Sequence, residues 1–232
     1  MRFRLAGGLA PAVLTGLVAL VVLTGLVAAG WSPLIDTDRA VSESLRRFGA
    51  AHPAWVITQR AITHAGDTAV LLIAGIALCV ALLLFRRYRA AAIIFAGGAG
   101  THLASTALKL TLSRHRPVGG FIGTGGWSYT SGHAVHSATA AALLVHLMWP
   151  ALGRGGRRAA VAAAVVAVTL IGVSRVTLLA HWPSDVLGGW LVVLVLLPLI
   201  IYALRGNAEA TGERPSLGEA ACGNVSATDR VD

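Results

Sequence analysis

The sequence predicts an all-α, polytopic membrane protein built as a bundle of six transmembrane helices. Three observations carry this. Of the 232 residues, 56% are hydrophobic and 12% charged, against roughly 25% charged in an ordinary soluble domain. Mean hydropathy is +0.72. The apolar residues also gather into six runs near the roughly 20 residues a helix needs to cross hydrocarbon. Together these exclude a disordered chain, a coiled coil and an ordinary cytosolic enzyme. The two cysteines, Cys79 and Cys222, exclude a disulfide scaffold and a four-cysteine zinc site.

In chain order, the spans are expected at about 10–30, 68–85, 90–110, 134–150, 159–178 and 186–204. The first follows a basic start at Arg2 and Arg4. Residues 5–35 then carry no charge, which is long for a signal core and right for an uncleaved spanning helix. The fourth run is the least apolar, since it contains His136, Ser137, Thr139 and His146. Abundant Ala and Gly in the runs suits close helix packing in lipid. The expected organisation is a first helix with an outer loop over 1–67, a catalytic helical core over 68–205, and a disordered cytoplasmic tail over 206–232.

The formal net charge is +9, and all but one of the 19 basic residues are arginine. The arginines sit in short clusters between apolar runs and not along one polar face, which argues against a nucleic-acid partner. Arg2, Arg4, Arg86, Arg87, Arg89, Arg154, Arg157, Arg158 and Arg205 fall on one side of the predicted topology. Arg39, Arg46, Arg47, Arg60, Lys109, Arg114, Arg116 and Arg175 fall on the other. The first set is denser and free of acidic neighbours, so the positive-inside rule places both termini in the cytoplasm. Residues 31–67, 111–132 and 179–184 then face outward across the cell (plasma) membrane.

Between Thr68 and Leu204 the only acidic residue is Asp185, in a window that also holds Lys109, Arg114, Arg116 and Arg175. Polar groups at membrane depth are costly and tend to be functional. Many cations beside a single carboxylate suit an anionic ligand. The outward cations fall in three short segments. Lys109 and Arg116 lie seven residues apart, close to two helical turns, so a continuing helix would point both the same way. Pro117 then biases the chain out of the helix. Ser131, Gly132 and His133 precede the fourth span. Ser131 is a natural N-cap, and a helix start there offers backbone N–H groups to an anion. Ser174 and Arg175, then His181, then Asp185 bridge the last two spans, with Asp185 four residues beyond His181. His102, His136 and His146 belong to no such segment and read as polar contacts between helices. Arg114 and His115 read as loop residues beside the site, and Trp127, Trp182 and Trp190 as interface anchors.

This set resembles the signature of the type 2 phosphatidic acid phosphatase superfamily of membrane lipid phosphatases: Lys-x6-Arg-Pro, then Pro-Ser-Gly-His, then Ser-Arg-x5-His-x3-Asp. Lys109, Arg116 and Pro117 match the first part; Ser131, Gly132 and His133 the second; Ser174, Arg175, His181 and Asp185 the third. Thr130 stands where the family usually carries proline. The likeness covers roughly 66–204 and implies a function. His181 would attack phosphorus to give a phosphohistidine, with Asp185 orienting it. His133 would protonate the leaving group and later activate water. Lys109, Arg116, Ser131, Gly132 and Arg175 would hold the phosphate.

No cofactor or metal is expected. Cations can neutralise a transferring phosphoryl group in place of magnesium, which prefers oxygen ligands. The implied partners are a lipid substrate and the bilayer, with no oligomeric state assigned. Candidate substrates are a polyprenyl pyrophosphate, phosphatidic acid and phosphatidylglycerophosphate, and the outward-facing site favours the first. The alternatives are a lipid phospho-group transferase using the same site and a non-enzymatic lipid-binding membrane protein.

Overall fold

The computed structural model describes residues 9–210. Within them the chain forms α1 (Leu9–Ala28), α2 (Ser32–Ala51), α3 (Pro53–His64), α4 (Thr68–Leu84), α5 (Tyr88–Leu112), α6 (Gly132–Met148), α7 (Arg154–Thr177) and α8 (Pro183–Ala210), with one 3-10 turn at Trp149–Ala151. Six helical stretches are long and apolar enough to cross a membrane, Ala10–Ala28, Pro53–Leu84, Tyr88–Leu112, Gly132–Ala151, Arg154–Thr177 and Pro183–Leu204, and they bear out the expected number of spans; the second takes in α3 as well as α4, and α4 alone matches the expected 68–85. The expected tail overlaps α8 at residues 206–210; its remainder, 211–232, lies outside the described residues, as does Cys222.

The interior of the bundle lies between α4, α5, α6 and α8, where Leu82, Ile94, Val135, Leu143, Val193 and Leu197 form one buried cluster. α8 packs against both α5 and α1. Small residues set these approaches. A Cβ on Gly97 would meet Leu197 at 2.8 Å, and one on Gly100 would meet Ile200 at 2.7 Å. Such close contact is how helices associate when lipid supplies no hydrophobic drive between them. Polar pairs add to it, with Thr101 Oγ1 and Thr139 Oγ1 3.0 Å apart across α5 and α6. Large apolar side chains such as Leu72, Ile73, Phe95 and Val165 stay exposed, as they should on helices whose surroundings are hydrocarbon.

One expectation is corrected here. The stretch 31–67 is not a loop. It folds as α2 and α3, each begun by a proline in its first turn (Pro33 and Pro53), where a missing N–H costs nothing. Both helices pack onto α7, and α2 also onto α8. The helix carrying Lys109 stops close to the expected end of the third span at about 110, so the alignment with Arg116 that a continuing helix would give does not arise. α5 ends at Leu112, because Ser113 takes a left-handed conformation (φ 46°) and donates its N–H to the Lys109 carbonyl, a helix stop that precedes Pro117. Arg116 therefore sits on the segment linking α5 to α6.

The connections group by end. The turns between α3 and α4, α5 and α6, and α7 and α8 lie at one end of the bundle. Arg86, Arg87, Arg154, Arg157 and Arg158 lie at the opposite end.

Candidate active site

The three segments singled out by sequence converge at the first of these ends. His181 lies in the turn before α8, its side chain 3% exposed. Its Nδ1 is 2.9 Å from the carbonyl oxygen of Ser128, and its Nε2 is 3.0 Å from Arg116 Nη1. A carbonyl only accepts and a guanidinium only donates. These two neighbours therefore put the proton on Nδ1 and leave the lone pair on Nε2. Burial pushes the imidazole down to about 4, with Asp185 opposing the shift, so His181 is neutral near pH 7.

Asp185 opens α8 and is fully buried. Its Oδ2 is 3.5 Å from His181 Nδ1 and accepts from the Trp182 N–H at 2.9 Å. Its Oδ1 accepts from Arg114 Nη1 at 2.7 Å, and Arg114 Nη2 reaches Asp38 of α2 at 2.7 Å. Ser184 joins this set by donating its N–H to Asp38 Oδ1 at 3.1 Å. Arg114 thus bridges two buried carboxylates, a larger part than a loop residue beside the site. Trp182 is likewise tied inward, its Nε1 donating to the His115 carbonyl at 2.8 Å.

The other cations surround His181. Arg116, lowered from its usual pKa by burial, also donates through Nε to the Gly126 carbonyl at 3.0 Å and through Nη2 to that of Gly125 at 2.9 Å. Lys109 donates to the carbonyl of Thr130 and, at 3.4 Å, to that of Trp127, which Arg116 Nη2 also reaches at 3.2 Å. The Tyr129–Thr130 peptide bond is cis. Arg175, in the last turn of α7, donates from Nη1 to Thr63 Oγ1 at 2.9 Å, while its buried Nε has no hydrogen-bond partner. A buried, unpaired donor of this kind invites an acceptor.

Ser131 caps α6, accepting from the Ala134 N–H at 3.5 Å, and Gly132 is the first residue of that helix. His133 follows, 17% exposed, with Nε2 3.0 Å from Asp67 Oδ1. His133 and Arg175 line a cavity of about 490 Å³ together with Arg60, Thr63, His64 and Asp67 of the α3–α4 region and Phe121, Ile122 and Gly123 of the linking segment. Among the described residues, no three His, Cys, Asp or Glu side chains form a metal-ligating group. His102 and His136 are polar contacts between helices: His136 Nε2 is 3.0 Å from His102 Nδ1, and its Nδ1 is 3.0 Å from Thr68 Oγ1.

Residues 71–209, more than half of the chain, match the PAP2 superfamily. The chain belongs to that superfamily. This PAP2 protein is a phosphoric monoester hydrolase of the lipid phosphatase kind, held in the membrane by several passes. Its fold is that of a transmembrane PAP2-type phosphatidylglycerophosphate phosphatase from Bacillus subtilis. The two superpose with a TM-score of 0.69 at 23% identity, over 84% of this chain and 97% of the other. No curated protein matches the sequence.

Sequence reasoning found the motif residues of the PAP2 chain and missed their supports. Asp38, Arg60, Thr63 and Asp67 come from the stretch expected as a loop. The carbonyls of Ser128 and Trp127 carry no side-chain signature at all. The helical spacing of the apolar residues Leu34, Val41, Leu45 and Phe48 was the available sign that α2 exists.

Proposed function

We propose that this PAP2 enzyme hydrolyses a lipid phosphate monoester or pyrophosphate through a phosphohistidine on His181, with the phosphate charge neutralised by Lys109, Arg116 and Arg175 and not by a metal. The observation that carries this reading is the fixed tautomer of His181, whose lone-pair nitrogen faces the cation expected to hold the phosphate. In the first step, Nε2 of His181 bonds to phosphorus and the bond from phosphorus to the leaving oxygen breaks. His133 gives its proton to that oxygen. In the second step a water oxygen bonds to phosphorus, the P–N bond breaks, and His133 takes the water's proton. Inorganic phosphate leaves and both imidazoles are restored. The Nδ1–H of His181, held by the Ser128 carbonyl and facing Asp185, balances the positive charge that the phosphorylated ring acquires.

Phosphoryl transfer asks mainly for positioning and charge neutralisation. The unpaired Arg175 Nε, together with Ser131 and Gly132 at the start of α6, supplies donors for phosphate oxygens. The candidate substrates are a polyprenyl pyrophosphate, phosphatidic acid and phosphatidylglycerophosphate, with the tail kept in the bilayer. On this reading the site faces the extracytoplasmic side of the cell membrane and the termini are cytoplasmic. In support, the site-bearing turns lie opposite the arginine clusters at 86–87 and 154–158. Labelling of an introduced Gly123→Cys from outside intact cells checks the orientation, since a Cβ there meets no neighbour; labelling only after permeabilisation would reverse it.

The direct test is phosphate release from the three lipids by purified protein in detergent with chelator present. Wild type should release phosphate and form an acid-labile, alkali-stable phosphoenzyme, and His181→Ala should do neither. Activity lost to chelator and restored by magnesium would overturn the metal-free reading.

A further inference from the structure

We propose that Asp67 is the positioning residue for His133, through a direct carboxylate–imidazole bond that no part of the family signature contains. The inference rests on the acid–base role of His133 given above and extends it. Asp67 occupies the residue before α4, where an aspartate ordinarily turns its carboxylate onto the free N–H groups of the first helical turn. Here it makes no such bond. One oxygen is instead 3.0 Å from His133 Nε2 and the other 2.8 Å from His64 Nδ1. A carboxylate only accepts, so Nε2 of His133 carries a proton and Nδ1 is left to exchange one with substrate or water. The turn is built for this approach. A Cβ on Gly66 would lie 2.5 Å from Ile171 Cγ2 and 3.5 Å from His133 Cδ2. The backbone therefore presses against α7 and presents the next side chain to the imidazole.

The remaining charged or titratable groups around His133 are His64 and Arg60 from α3, Arg175 from α7, Arg116 from the segment after α5, and His136 on its own helix. Among these cations and imidazoles, Asp67 is the carboxylate that can stabilise His133 while it holds a proton. This gives the acid–base histidine the kind of partner that Asp185 gives the nucleophile.

The experiment compares two substrates in Asp67→Asn. A lipid phosphate has an alcohol leaving group that needs a proton; p-nitrophenyl phosphate has one that departs without it. Expected for the lipid phosphate is a fall in kcat of about 100-fold with KM within about threefold. The initial p-nitrophenol burst, one per active site, should persist, and Asp67→Glu should recover part of the lipid activity. Equal slowing of the bond-breaking step for both substrates, or wild-type kcat in Asp67→Asn, would overturn the proposal. Orthovanadate binding reports whether the variant is folded. If it is not, His64→Ala takes its place. A several-fold slowing of the bond-breaking step confined to the lipid substrate supports the proposal, and equal slowing or wild-type rates of that step on both overturn it. His181→Ala separates the two levels: if it stays active, the mechanism itself fails; if it is inactive while Asp67→Asn is normal, only the Asp67 assignment fails.

Discussion

The two histidines of the site stand in opposite surroundings. His181 is sealed, 3% exposed, and its ring nitrogens are fixed by a backbone carbonyl and a guanidinium, with a carboxylate at 3.5 Å. His133 is more open, 17% exposed on the wall of a cavity, and its direct partner at 3.0 Å is a carboxylate. The difference matches what each proposed role requires. A nucleophile must be neutral in one tautomer, which burial and a carbonyl achieve. A group that carries a proton must tolerate the charged state and reach both leaving group and water, which a carboxylate and a cavity provide. The sealed side is also braced from behind by Asp185, Arg114 and Asp38, whereas the open side rests on one turn between α3 and α4.

The largest expected effect follows from the sealed side. His181→Ala should lower turnover by at least about 1,000-fold, with phosphate-analogue binding retained, as measured by phosphate release and orthovanadate competition. Turnover within tenfold of wild type would remove His181 from the chemistry. Next is the brace. Arg114→Ala leaves Asp38 and Asp185 buried without their shared cation, and breaking a buried pair in this way costs about 3–5 kcal/mol. Thermal unfolding in detergent should show that loss. Glu43→Ala removes two exposed pairs, with Arg46 at 2.8 Å and Arg47 at 3.3 Å, and should leave the melting temperature unchanged. Equal shifts in the two variants would mean the bridge between α2 and α8 carries no stability.

How far the sequence reached follows the same divide. His181, Asp185, Arg175, Arg116 and Lys109 were legible because each bears its chemistry in its side chain and sits at a fixed spacing from the next. The brace was half legible: Asp185 stood out as the lone acid of 68–204, but Arg114 did not, since its partner Asp38 lies 76 residues away on an unexpected helix. Asp67 lies just outside the 68–204 window and in no motif segment, so nothing in the sequence marks it. Its meaning depends on the α3–α4 turn meeting α6, a tertiary fact that local periodicity does not contain. The spans themselves were readable because hydrocarbon imposes length and composition on each helix separately. By contrast, α2 is half polar, with Asp36, Asp38, Glu43, Arg46 and Arg47 along it, and gives no such run.

Acid sharpens the comparison by acting on the sealed side. In the unfolded chain His181 titrates near the ordinary 6.5, and in the folded chain at about 4. Between these values the unfolded state binds a proton that the folded state refuses. The contribution to stability is therefore complete above about 6.5 and is lost as pH falls towards 4. Melting temperatures measured across that window should fall more steeply for wild type than for His181→Gln, in which the group is absent. Identical slopes would mean that the folded protein accepts a charged imidazole at this position.

The smallest expected effect lies on the open side, at Arg60. Its guanidinium donates to the Phe121 carbonyl and lines the cavity beside His133, the position a leaving group would take on the proposed mechanism. A pyrophosphate leaves as a lipid monophosphate and keeps negative charge there; phosphatidic acid leaves as a neutral alcohol. Arg60 is exposed, so its attraction for that charge is screened and worth a three- to fivefold change at most, by the roughly 1 kcal/mol ceiling of exposed pairs. Arg60→Gln should therefore raise KM about threefold for a polyprenyl pyrophosphate and leave KM for phosphatidic acid unchanged, measured on the same preparation so that folding cancels. An equal rise for both lipids would assign Arg60 to holding the segment at Phe121 and not to the departing group, and would leave the open side with Asp67 as its one determinant.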